Sequence, residues 1–241
     1  MPKSLLQQTL DSLGSAIVTG QMHEDYVVST EELEAKFGVS RSVVKEAVRV
    51  LHTLGFVVSV KRVGVRVLPS TSWNYFDPLV MRWRLESEGY PAQLRSLNEL
   101  RGAIEPAAAE LAARYAPDEL CGRLLSLAAE MRTAVRAQNV ERFIEVDVKF
   151  HDVVLVASGN EMFAQLQSAV GNTVSGRSDR GLLPDLPDEE SLQLHVTLAD
   201  AIQGRRPEEA RATANRLINA IVAETADTWA HEPRTFRGKP E

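Results

Sequence analysis

Four polar side chains in the C-terminal half have the types and spacing of a metal site. Asp147 and His151 lie four residues apart between apolar neighbours, so a helix would place both on one face. His195 and Asn215 occur in two later segments with helical periodicity. Three helices of a bundle could therefore bring carboxylate, imidazole and amide ligands to one interior point. The spacing also allows a simpler arrangement, in which Asp147 and His151 are hydrogen-bonded to one another.

Arg101 could recognise an anion near these residues. A guanidinium on a bundle helix can donate two parallel hydrogen bonds to the carboxylate of a bound ligand. The neighbouring acids Glu99 and Glu105 offer an alternative, an ion pair within the chain. Asn172 and Ser178 belong to a later segment that we expect to close the same pocket, and we take them as candidate ligand contacts.

A second set of polar residues has the pattern of a helix that reads DNA. Arg41, Lys45 and Arg49 recur every four residues, opposite the apolar positions of the same stretch. Such a helix can pack on the protein with one side and enter the major groove with the other, where Arg bonds guanine and Lys holds phosphate. The predicted DNA contacts are Ser40, Arg41, Ser42, Lys45, Arg49, Lys61, Arg62 and Gly64.

The elements that carry this basic helix are those of a winged helix-turn-helix. Helical spacing predicts three helices, at residues 4–20, 30–38 and 41–54. Ser29 and Glu32 form a capping signal for the second helix, and Ser40 caps the third. Two β-branched runs that follow predict a β-hairpin. We therefore assign residues 1–69 to a DNA-binding domain of three helices plus a hairpin.

The remainder of the chain is expected to be helical. Residues 70–92 predict a linker with one short helix, and residues 93–230 predict an all-α helical bundle without strands. Residues 231–241 are polar and predict a flexible tail. The fold class is therefore mostly α, with a small DNA-reading domain followed by a larger domain for ligand binding and dimerisation.

Composition and charge limit the class of protein. Of the 241 residues, 44% are hydrophobic and 25% are charged, which is typical of a globular protein. The net charge is −6, yet residues 1–68 contain eight Lys/Arg against seven Asp/Glu, so DNA contacts must come from a local basic cluster. The single cysteine, Cys121, allows no internal disulfide. No signal peptide or membrane span is recognised, and we expect a cytoplasmic protein.

The N-terminal domain resembles the GntR family of bacterial regulators. The resemblance rests on Gly38-Val39-Ser40-Arg41, Lys45-Glu46-Ala47-Val48, Leu51, Gly55 and Gly64. Two positions differ from the usual family pattern. Lys45 stands where the family commonly has arginine, and Glu31 occupies a commonly basic position of the preceding helix.

Residues 93–228 resemble the FCD effector domain of FadR-type members of that family. The similarity rests on Glu99-x-Arg101 with Ile104-Glu105, Asp147-x-x-x-His151 through Asn160, His195 with Ala201-Ile202, and Ala210 to Leu217. The resemblance implies a divalent metal ion, zinc or nickel, that anchors an organic acid. Its ligands would be Asp147, His151, His195 and, at the position of the family's final histidine, Asn215.

The segment from Trp73 to Trp83 is similar to the linker of sugar-acid regulators, which favours a sugar acid as the effector. Together these patterns predict a homodimeric transcription repressor that binds a pseudo-palindromic duplex operator and releases it when the acid binds. Two alternatives stay open. Two histidines, an aspartate and an open coordination position could activate water in a metal-dependent hydrolase, or the pocket of a DNA-binding dimer could be purely structural.

Overall fold

The computed structural model of the chain describes residues 3–167, 169, 171 and 188–234. These residues form two compact units. One comprises the chain up to Gln93 together with Pro233 and Arg234, and the other comprises Leu94–Glu232. Within the described residues, no helix has the length and apolar character needed to cross a membrane.

The first unit begins with three helices, as the periodicity predicts. They are α1 (Leu5–Val18), α2 (Thr30–Phe37) and α3 (Arg41–Thr53). A capping box starts α2, because the Ser29 side chain accepts from the Glu32 amide while the Glu32 carboxylate accepts from the Ser29 amide. Ser40 is the N-cap residue of α3, but its hydroxyl lies 2.9 Å from the Ser42 hydroxyl and does not bond the helix backbone.

A small antiparallel sheet completes the winged helix-turn-helix. Its strands are β1 (Val27–Val28), β2 (Val57–Val60) and β3 (Gly64–Val67), in the order β1-β3-β2. The predicted hairpin is therefore present, and a third strand pairs with its free side. Gly64 allows this pairing, since a Cβ atom at this position would lie 2.5 Å from the Val28 carbonyl oxygen.

The segment after the sheet packs onto the first unit. A 3₁₀ turn at Ser70–Ser72 precedes α4 (Pro78–Leu85), which Asp77 caps. Trp83 of α4 is 1% exposed and belongs to the same apolar core as α1 and α3. Its indole Nε1 donates to Asp11 Oδ1 at 3.1 Å, and Arg82 forms an ion pair with the same carboxylate. The predicted linker is thus an integral part of the N-terminal core.

The regular elements of the second unit are all helices within its described residues, and the first of them begins four residues before the unit does. They are α5 (Tyr90–Tyr115), α6 (Asp118–Arg136), α7 (Val140–Ala157), α8 (Glu161–Ala164), α9 (Glu189–Gln203) and α10 (Pro207–Trp229). Alanines of α5 and larger apolar residues of α6, α7, α9 and α10 form one core cluster. Cys121 is fully buried in this core as a small apolar residue. The all-α bundle predicted for this region is confirmed.

Gly14 in α1 offers a direct test of the packing of α4. Replacing an interior helix glycine with alanine ordinarily stabilises a helix by about 1 kcal/mol. At Gly14, however, the added methyl group would lie 2.5 Å from the Trp83 ring. We therefore expect Gly14→Ala to lower the free energy of unfolding by about 1–3 kcal/mol, measured by urea titration of tryptophan fluorescence and circular dichroism.

Gly122 in α6 is the matched control, because a Cβ atom there would meet nothing within 4 Å. Gly122→Ala should leave stability unchanged or raise it. Equal stability of Gly14→Ala and the wild type would contradict the contact between α1 and Trp83.

Candidate DNA-binding face and metal centre

Helix α3 has one buried and one exposed face, as a recognition helix requires. Val44 and Ala47 are fully buried and Leu51 is 1% exposed, so these residues hold the helix on the core. Arg41, Lys45 and Arg49, which the sequence places on the opposite side, are all exposed. The helix therefore exposes three cations to solvent while its apolar face stays packed on the core.

A groove of about 720 Å³ lies between α3, the start of α2 and the β-hairpin. The predicted DNA contacts that line it are Arg41, Lys45, Arg49, Arg62 and Gly64. The remaining three, which are exposed but do not line it, are Ser40, Ser42 and Lys61. Gly64 contributes through its backbone, because the close approach of β1 leaves no room for a side chain there.

Two of the three α3 cations have acidic partners. Arg49 lies 2.8 Å from Glu46 on the same helix, and Arg41 lies 3.4 Å from Glu31 in the first turn of α2. Within the described part of the chain, Lys45 has no ion pair. Glu31 lines the groove together with Arg41, whereas Glu46 does not.

In the second unit, Asp147, His151 and His195 come together as the sequence predicts. Helix α7 places Asp147 and His151 one turn apart, and α9 supplies His195. Each residue offers one ligand atom within 4.8 Å of the others. Asp147 Oδ1 lies 3.0 Å from His195 Nε2 and 3.7 Å from His151 Nε2. Both imidazoles are buried, and the edge of the Phe150 ring system packs against each of them.

An oxygen atom lies close to Nδ1 of each imidazole. His195 Nδ1 donates to the Ser191 carbonyl oxygen at 2.9 Å, and His151 Nδ1 lies 2.6 Å from Glu105 Oε2. In a neutral imidazole with its proton on Nδ1, Nε2 carries a lone pair. Neither Nε2 has an aligned hydrogen-bond donor among the described residues. In that tautomer both lone pairs would lie beside the Asp147 carboxylate, which is the arrangement of metal-ligating histidines.

Glu105 links this cluster to Arg101. One Glu105 oxygen lies 2.5 Å from Arg101 Nε, and the other lies against His151. The internal ion pair that the sequence allowed for Arg101 therefore exists. It uses only Nε, and neither Nη1 nor Nη2 of this buried guanidinium has a partner among the described residues. These two nitrogens remain available for a ligand anion.

The carboxylates of the cluster stay ionised despite their burial. Burial alone would raise the pKa of Glu105, but Arg101 and His151 lower it to about 2. Burial opposes ionisation of Asp147 as well, and its contact with His195 and the charges of His151 and Arg101 hold its pKa well below the ordinary value. The half-buried Asp152 differs, because burial and the Glu105 charge raise its pKa to about 6.

Other predicted residues have different outcomes. Asn215 is exposed on α10, and the buried positions nearest to it in sequence are Thr213, Ala214, Leu217 and Ile218. It therefore faces away from the core in which the histidines are buried, and its assignment as a fourth ligand is corrected. Asn172 and Ser178 lie outside the described residues.

Sequence reasoning missed the bridging role of Glu105. The available signal was the spacing of Arg101 and Glu105, which places both on one face of α5.

The chain is similar to known regulators over most of its length. Residues 5–67 match the family of bacterial regulatory proteins named gntR, and residues 96–220 match the FCD domain. The chain is 32% identical to the transcriptional regulator YieP of Escherichia coli K12, with 83% of this chain and 86% of that protein covered. It is 30% identical to the galactonate operon transcriptional repressor of the same organism, with 86% and 90% covered.

Solved structures agree with the fold. A regulator of Listeria monocytogenes, Lar, superposes with a TM-score of 0.59 at 16% identity, covering 94% of this chain and 99% of that one. The GntR protein of Streptococcus agalactiae gives 0.51 at 22% identity, covering 90% and 98%. The matched family and these relatives are regulators and not enzymes, which removes the hydrolase alternative. The chain belongs to the GntR family of transcription regulators, with a winged helix-turn-helix followed by an FCD domain.

Proposed function

We propose that this regulator is a homodimeric repressor whose hold on its operator is released by a small organic acid bound at a divalent metal ion. The observation that carries the effector part of the proposal is the orientation of two buried imidazoles. His195 Nδ1 is hydrogen-bonded to the Ser191 carbonyl oxygen, and His151 Nδ1 lies 2.6 Å from Glu105 Oε2. The Nε2 atom of each ring lies on the side of the Asp147 carboxylate. A purely structural pair would not require both lone pairs on the same side.

The distances from Asp147 to the two imidazoles are close to those between ligands of a first-row divalent ion, and all three ligand atoms lie within 4.8 Å of one another. Ligand atoms about 2.0–2.2 Å from such an ion lie roughly 2.8–3.6 Å from one another in octahedral or tetrahedral geometry. The separations of 3.0 and 3.7 Å from Asp147 to the two imidazoles need only small adjustments. Two nitrogens and one oxygen favour zinc or nickel over calcium or magnesium. Three protein ligands leave positions for ligand oxygens, which the ion would bind as a Lewis acid.

The charge of the cluster favours an anionic effector. Arg101 is positive, while Glu105 and Asp147 are negative, so these three groups together carry one negative charge. A divalent ion held by neutral histidines would reverse this balance to one positive charge. A bound carboxylate would neutralise it, with its oxygens accepting from Arg101 Nη1 and Nη2.

A sugar acid is the effector class that we propose first. Such molecules carry a hydroxyl group beside the carboxylate, so both oxygens can bind one ion while further hydroxyls bond polar side chains. The similarity to a repressor named for galactonate supports this choice.

Release of DNA requires that the acid distinguish between two arrangements of the dimer. In one, the two α3 helices would lie about one DNA turn apart and fit a pseudo-palindromic operator. An acid that binds more tightly to an arrangement with another spacing weakens DNA binding by that difference in affinity.

Removing Asp147 should abolish metal binding. We expect Asp147→Ala to contain no stoichiometric zinc or nickel after native purification, because only two histidine ligands remain. Elemental analysis of the purified protein measures the content, and thermal unfolding with and without chelator measures the coupled stability. Asp200→Ala removes an exposed aspartate of α9 and should retain the metal. Metal-free wild type, with stability unaffected by chelator, would instead favour the purely structural pocket.

Arg101→Lys should separate effector binding from metal binding. Lysine keeps the positive charge beside Glu105 but cannot offer the two parallel donors of guanidinium. We expect a wild-type metal content and an increase of about tenfold or more in the acid concentration that releases DNA. Gel shifts with galactonate and gluconate measure this. An unchanged response to the acid that acts on the wild type would exclude Arg101 as its contact.

Lys45→Ala should weaken DNA binding by about tenfold, because its exposed cation lines the groove and forms no ion pair with the described residues. If Lys45 contacts phosphate, the slope of log affinity against log salt should decrease by about one. Fluorescence anisotropy with duplexes selected from a random pool measures both quantities. The control is Lys36→Ala, which removes a cation of α2 outside the groove. Similar losses in both variants would place the DNA contact elsewhere.

A further inference from the structure

Glu31 is the one acidic residue among the described residues that line the groove. Its Oε1 lies 3.4 Å from Arg41 Nη2, and the two side chains are 66% and 61% exposed. The other side chains of the groove wall that carry full charge are cations. A carboxylate in this position would face the phosphates of any duplex that occupies the groove.

Among the described residues, the ion pair with Arg41 is the one side-chain interaction of Glu31. The capping box of α2 uses Glu32, not Glu31. An ion pair between two exposed side chains adds little to stability, and interaction with the helix dipole is available to any acid in the first turn. Glu31 should weaken DNA binding, because its negative charge repels the phosphate backbone and offsets part of the attraction between Arg41 and the DNA.

Arg41 is the first residue of α3, the end of a recognition helix that approaches base edges. Reading guanine requires two parallel donors held in a defined orientation. A carboxylate paired with one edge of the guanidinium favours one orientation of it and leaves another edge for the base. Once a duplex displaces water from the groove, this attraction strengthens, because the dielectric constant between the two groups decreases.

We propose that Glu31 is a specificity-determining residue of the DNA interface. It positions Arg41 for a base edge and penalises contacts that reach phosphate alone. DNA of arbitrary sequence is then repelled by Glu31 and lacks the base contact with Arg41 that would compensate for this repulsion. The inference rests on the proposed contact of α3 with DNA and adds to it a division of labour: Lys45 supplies affinity and Glu31 supplies selectivity.

The test is Glu31→Gln in the full-length protein, which removes the charge and keeps the shape of the side chain. Binding is measured by fluorescence anisotropy across a salt series, with a random-sequence duplex and with duplexes that the wild type selects from a random pool. We expect affinity for random DNA to rise by about three- to tenfold and its salt slope to steepen by up to about one. Affinity for selected duplexes should rise less, so the ratio of the two affinities decreases.

Arg41→Ala separates positioning from simple repulsion. In that background, Glu31→Gln should still strengthen binding to random DNA but should no longer alter preference for any base in a repeated selection. Glu24→Gln is the charge-matched control, since Glu24 is exposed in the same unit and does not line the groove. It should leave the affinity ratio unchanged.

An unchanged affinity ratio in Glu31→Gln would overturn the inference, as would a loss of base preference that persists in the Arg41→Ala background. A different result identifies failure of the proposed function itself. If the wild type selects no duplex above random DNA, α3 does not read sequence, and the role of Glu31 falls with it.

Discussion

The arrangement of the C-terminal helices depends on ionised groups that need oppositely charged partners, because they are buried in an apolar core. The Arg101 and Glu105 side chains are 1% and 3% exposed, and an unpaired ion at such a depth costs several kcal/mol. Glu105 forms an ion pair with Arg101 on its own helix, and its other oxygen lies close to His151 on α7. Asp147 on α7 in turn meets His195 on α9. These directional contacts join α5, α7 and α9, and we expect them to make the relative positions of the three helices more specific than apolar packing alone would.

The N-terminal unit meets a different constraint, since one helix must be both a structural element and an exposed reader. Val44 and Ala47 are fully buried, although the exposed Lys45 lies only one or two residues away from them in the sequence. The helical period places the apolar residues and the cations on opposite faces of α3. The cations therefore stay hydrated in the free protein and have no desolvation cost. Trp83 completes the unit by packing beside α1, where Gly14 leaves room for its ring. The segment that the composition marked as a linker is therefore part of what supports the reading helix.

Local patterns predicted much of this fold, and the reasons for the failures are physical. Ser29 with Glu32, and Asp147 with His151, are signals contained within one helical turn, so they are visible in a single stretch of sequence. Strand β1 has only two residues, and its pairing with β3 depends on partners distant in sequence. The Glu105 bridge likewise depends on how α5 and α7 meet. For Asn215, the family pattern suggested an inward side chain, but the helix turns its apolar positions to the core instead.

The acidic character of the whole chain affects how such a protein would search DNA. With a net charge of −6, the chain has little long-range attraction for a duplex, and residues 69–241 supply the excess of acid. At physiological salt, charges are screened beyond about 8 Å, so a duplex responds mainly to the groove once it is close. We therefore expect weak binding to DNA of arbitrary sequence. Selectivity in this regime comes from contacts at the base edges, where orientation of a single guanidinium matters more than total positive charge.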